Sequence, residues 1–122
     1  MKHVKFLSVL FVSLLATQFS FGQTAIQDSV LVNGNCGMCK KTIEKSAMAA
    51  GATTVSWNKT SKYLSMTYDP AKTNSNKIQT AVAKSGYDTQ DVKAGDDAYK
   101  GLEECCQYDR KNPLLAPKKV NN

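Results

Sequence analysis

A β-branched run, Ser29-Val30-Leu31-Val32, stops at the turn cluster Asn33-Gly34-Asn35, which predicts a short strand and its end. From Cys39 the period changes. Ile43, Ala47 and Ala50 recur at i, i+4 and i+7 with Lys40, Lys41, Glu44 and Lys45 between them, and Gly51 follows as a stop. This predicts an amphipathic helix of about three turns. Two further runs, Thr53 to Trp57 and Tyr63 to Tyr68, flank the polar stretch Asn58-Lys59-Thr60-Ser61; Leu64, Met66 and Tyr68 alternate with polar neighbours, as a hairpin requires. After Asp69-Pro70, Asn74 is a good N-cap for a second helix that turns Ile78, Ala81 and Val82 inward and ends at Gly86. A last strand is expected from Tyr87 to Val92. The order βαββαβ predicts an α+β, ferredoxin-like fold, with a four-stranded antiparallel sheet and both helices on one face.

The ends of the chain read differently. Met1 to Lys5 carries two lysines, Phe6 to Ala16 is apolar, and Ser20 and Gly22 are small, the pattern of a secretory signal cleaved after residue 22. The apolar run is too short to span a bilayer, which takes about 20 residues, so no membrane insertion is expected after cleavage. Three segments result: a signal over 1–22, a domain over 23–94, and a tail over 95–122 that holds a second cysteine pair. In the tail, Lys93 to Asp97 reads as a polar linker, Ala98 to Tyr108 as a short helix, and Pro113 onward as a disordered end.

Composition narrows the chemistry. The chain has 16 basic and 10 acidic residues among 122. The lysines are scattered, with no arginine-rich stripe, which argues against nucleic acid as a partner. The one histidine, His3, leaves with the signal, so after export the reactive groups are thiols. The four cysteines fall as Cys36-Gly37-Met38-Cys39 and as the adjacent pair Cys105-Cys106, rather than spread where bridges would close long loops.

Placing Cys39 in the first turn of a helix favours its thiolate through the positive end of the helix dipole. Two sulfurs from one loop suit a soft ion that accepts few ligands. That points first to Cu(I), with Hg(II) or Zn(II) as alternatives; Zn(II) would have to recruit the second pair to reach four ligands. Adjacent residues on a regular helix project about 100° apart, so Cys105 and Cys106 face one ion together only where the backbone is irregular. They stand open between disulfide formation and additional ligation, in which Gly95 and the linker let residues 98 to 108 fold back so that Cys105 or Cys106 reaches the CxxC loop as a third or fourth ligand.

From about Asp28 to Lys93 the chain resembles the heavy-metal-associated domain family, which includes copper chaperones, periplasmic mercury-binding proteins and the amino-terminal domains of copper-transporting ATPases. The resemblance rests on Cys36-Gly37-Met38-Cys39 ahead of an amphipathic helix, on Leu64-Ser65-Met66-Thr67-Tyr68-Asp69-Pro70, and on Ser85-Gly86-Tyr87. It implies the ferredoxin-like fold, Cys36 and Cys39 as metal ligands, and Tyr87 close to the metal loop. It also implies a non-enzymatic carrier or scavenger in the periplasm, exchanging its ion with a copper-transporting ATPase or another donor or acceptor. The family usually has methionine two residues before the first cysteine. Gly34 stands there instead, and a looser loop is the expected result. The competing reading is a thiol–disulfide oxidoreductase that attacks through Cys36 and resolves through Cys39.

Overall fold

A computed structural model describes residues 24–111. The expected signal over 1–22 and the expected disordered end from Pro113 lie outside the described residues. Three strands form one antiparallel sheet: β1 (Ile26–Leu31), β2 (Ala52–Trp57) and β3 (Tyr63–Tyr68), in the order β1-β3-β2. Ser29 faces Ser65 in one pairing and Ser56 faces the same Ser65 in the other, so one side of the sheet is hydroxyl-rich. The opposite side presents Val30, Leu64, Met66 and Tyr68, all buried. The alternation along β3 settles the register, since a slip of one residue would expose Leu64 and Met66 and bury Ser65 and Thr67.

Two helices share the core with that buried side. Helix α1 (Gly37–Ala49) buries Cys39, Ile43 and Ala47, and Gly51 beyond it takes φ 109°. Helix α2 (Ser75–Lys84) begins as expected: the Asn74 side chain accepts from the Lys77 N–H at 2.9 Å. Its inward face is Ile78, Gln79, Val82 and Ala83, with Ala81 only half-buried. The Gln79 amide is accommodated because the Thr89 hydroxyl and the Asp91 N–H both donate to its oxygen, at 3.0 and 2.9 Å, and its nitrogen donates to Asp91 and Ser75.

The fourth strand expected over Tyr87 to Val92 does not form. Only an isolated antiparallel bridge, Val32 with Thr89, joins that segment to the sheet edge, supported by Asn33 N–H to Asp88 O and Gln90 N–H to Leu31 O. The reason lies in Thr89. Its N–H turns to the Val92 carbonyl at 2.8 Å and its hydroxyl serves Val92 and Gln79, so the chain closes a local turn instead of extending a ladder.

The tail also departs from expectation. A five-residue helix, α3 (Asp96–Lys100), and a 3-10 turn (Glu104–Cys106) replace the single helix expected over 98–108. The stretch expected to be a linker is packed: Ala94 is buried and its N–H donates to Asp88 at 2.8 Å. Tyr108 is 1% exposed; its ring stacks on Tyr87 and meets Tyr99 edge-on, so the tail completes the core. Gly86, at φ 108°, makes room for it, since a Cβ there would stand 2.8 Å from the Ala98 carbonyl and from Leu102. No helix among the described residues is long and apolar enough to cross a membrane.

Candidate metal centre

Cys36 is the N-cap of α1 in extended conformation (φ −143°), and Cys39 sits in the first turn, fully buried. One turn of helix brings their sulfurs to 3.4 Å. The backbone amide of Cys39 faces the Cys36 sulfur and, against the opposing effect of burial, lowers the Cys36 pKa to about 6. A half-exposed thiol at the start of a helix is thereby poised as a thiolate at neutral pH. The Asn35 N–H lies 3.4 Å from the Cys39 sulfur.

The loop carrying this pair is held from three sides. A Cβ on Gly34 would stand 3.0 Å from the Trp57 ring and 3.3 Å from the Cys39 Cβ. Trp57 therefore occupies the space a larger residue would need, and the loop is braced rather than loose. The indole N–H of Trp57 donates to the Val32 carbonyl at 3.0 Å, and its backbone N–H donates to Glu44 at 3.0 Å. Lys62 crosses the Trp57 ring and donates to the Gly34 carbonyl.

Across from this loop lies the second cysteine pair. The Cys36 sulfur is 3.6 Å from that of Cys106 and 3.8 Å from that of Cys105. Cys36, Cys39 and Cys106 have sulfurs all within 4.8 Å of one another. The adjacent thiols converge, 3.9 Å apart, because the backbone is a 3-10 turn that ends at Cys106. Cys106 points into the core and Cys105 stays exposed. All four are free thiols. Burial drives the Cys106 thiol up to about 12, while Cys105 is raised by its contact with Cys36. A bound cation would reverse both shifts by favouring the thiolates.

Around the sulfurs the setting is dry on one side. Tyr87 is 1% exposed and its phenol faces the sulfurs of Cys39 and Cys106, with its pKa raised first by burial. Met38 is exposed, its sulfur 3.7 Å from that of Cys105.

The tail residues that put the second pair here escaped sequence reasoning. Arg110 donates to both carboxylate oxygens of Asp88, at 3.0 and 2.8 Å, to the Ala94 carbonyl at 2.7 Å and to Asp96 at 2.9 Å, and stacks on Tyr99. Asn35 donates to the Cys105 carbonyl at 3.4 Å, tying the turn directly to the metal loop. The available signal was Tyr99, Leu102 and Tyr108, apolar bodies spaced through a segment otherwise polar enough to pass for a linker.

No family model and no curated protein matches the sequence. Solved structures do. The chain is similar to a CopZ metallochaperone, with 29% identity, a TM-score of 0.50, and coverage of 52% of this chain and 98% of the other. It is similar to oxidized MerP from Ralstonia metallidurans CH34, with 26% identity, a TM-score of 0.51, and coverage of 54% and 94%. The water-soluble region of the P-type ATPase CopA from Bacillus subtilis matches at 29% identity and a TM-score of 0.51 over 55% of this chain; the match spans 46% of that region. The resemblance to heavy-metal-associated domains is thus carried by backbone shape as well as by motif.

Proposed function

We propose that the chain is a non-enzymatic carrier or scavenger of a thiophilic ion, Cu(I) before Hg(II) or Zn(II), held by Cys36 and Cys39 with Cys106 as a third thiolate and Cys105 beside it. The observation that carries this reading is the convergence of three thiols within 4.8 Å at a helix start, in a chain whose one histidine, His3, belongs to the segment expected to be removed. Three soft donors and no nitrogen suit a monovalent soft cation. Exchange is built into the exposure gradient: Cys36 is half-exposed and Cys39 buried, so an incoming thiolate reaches the ion from the Cys36 side first.

Residues 1–22 are proposed to export the chain, and the periplasm is proposed as the compartment of this activity. The similarity to the water-soluble region of the P-type ATPase CopA and to the CopZ metallochaperone supports a partner of that class, a copper-transporting ATPase or another donor or acceptor protein. The test is a Cu(I) titration of the reduced protein against a chromophoric chelator. Cys36→Ser/Cys39→Ser is expected to lose tight binding; retention of it would overturn the assignment.

A further inference from the structure

The sulfur cluster is larger than one soft monovalent ion requires, and its shape is specific. Cys36 and Cys106 are 3.6 Å apart. Cys105 lies 3.8 Å from the first and 3.9 Å from the second. Cys39 lies 3.4 Å from Cys36 and within 4.8 Å of Cys106. Cys105 falls outside the group whose sulfurs are all within 4.8 Å, so the long separation is the one between Cys39 and Cys105. The four sulfurs therefore make two triangles hinged on the Cys36–Cys106 edge.

Geometry discriminates among occupants. With a metal–sulfur bond of about 2.3 Å, one tetrahedral ion needs six edges of about 3.8 Å, and the Cys39–Cys105 edge is too long for it. A trigonal ion with the same bond length needs three edges of about 4.0 Å. The Cys36–Cys105–Cys106 triangle, at 3.6 to 3.9 Å, comes close to that on every side. The second triangle shares one of those edges and adds Cys39.

We infer that the chain binds two Cu(I) ions at once, bridged by the Cys36 and Cys106 sulfurs, the inner ion completed by Cys39 and the outer by Cys105. This rests on the copper reading above and extends it to a second position. Each ion displaces thiol protons to solvent and no electron moves. The two positions are unequal. The inner ion is flanked by buried Cys39 and Cys106 and by Tyr87, whereas the outer one has exposed Cys105 and the Met38 thioether at its side. The outer ion exchanges first, and the inner one follows through the half-exposed Cys36.

The experiment is an anaerobic Cu(I) titration of the full chain, with a chromophoric chelator as competitor, native mass spectrometry for stoichiometry and X-ray absorption for neighbours. Two ions per monomer are expected, with a copper–copper scattering component. Cys105→Ser, at an exposed position that leaves the fold intact by circular dichroism, is expected to hold one ion and lose that component. Saturation at one ion per chain, two ions found only in a dimer, or two ions retained by Cys105→Ser would overturn the proposal. If wild type holds one ion that disappears in Cys36→Ser/Cys39→Ser, the carrier reading stands and only the second ion falls. No binding at all would overturn both.

Discussion

The Tyr108 hydroxyl donates to the Gly86 carbonyl at 2.9 Å. The same oxygen accepts the Asp88 N–H at 2.8 Å, so one phenol stitches the tail to the turn that follows α2. Two residues before it stands Cys106, and the docking of the tyrosine is what carries that sulfur to Cys36.

Tyr108→Phe keeps the ring and removes both hydrogen bonds, leaving a carbonyl and an N–H without their partner. A loss of about 1–3 kcal/mol in unfolding free energy is expected, read from urea denaturation. Because the tail supplies Cys106, Cu(I) affinity should fall as well, measured by chelator competition.

The Asp88–Arg110 pair predicts acid sensitivity. Burial alone would raise the Asp88 carboxyl; the hydrogen bonds and charge of Arg110, with the Ala94 N–H, outweigh it and hold the group below the usual carboxylate range. The sign follows from linkage. The stabilisation is fully present above about pH 4, the ordinary aspartate value, and is lost as pH falls through the lower folded-state value. Urea midpoints measured between pH 5 and pH 2 should show this drop, and Arg110→Ala should flatten it.

Placing at Gly34 the methionine usual in the family this chain resembles should harm it. A Cβ there meets the Trp57 ring at 3.0 Å, and the ring is pinned by the Val32 carbonyl, so neither partner yields cheaply. Gly34→Met is expected to cost about 1–3 kcal/mol by thermal unfolding, as overpacking does. An unchanged melting temperature would mean that the loop is as free as its turn sequence suggests.

Insulin reduction checks the oxidoreductase alternative. The Cys36 sulfur is flanked by those of Cys39, Cys106 and Cys105, at 3.4, 3.6 and 3.8 Å, so a substrate disulfide meets a crowded nucleophile. Turnover well below that of a thioredoxin is expected. Turnover close to it, abolished by Cys36→Ser, would favour the enzyme.

Local rules were enough for the elements whose stability is local. The strand before Asn33, the helix after Cys36, the hairpin with Leu64, Met66 and Tyr68 inward, and the Asn74 cap follow from periodicity and capping, because each is decided by neighbours within a few residues. The CxxC spacing likewise placed two sulfurs on one helical turn before any fold was known. Long-range contacts decided the rest. Whether Tyr87 to Val92 became a strand depended on Gln79 and Thr89 competing for its backbone, and no local propensity encodes that competition. Whether the tail was a linker depended on Tyr108 finding Gly86, and on Arg110 finding Asp88 across 22 positions of sequence. The meeting of Cys36 with Cys106, 70 residues apart, is a consequence of those contacts. Sequence determined that this protein's chemistry would be sulfur chemistry; tertiary packing decided how many sulfurs share the site, because only the folded tail brings the second pair within reach.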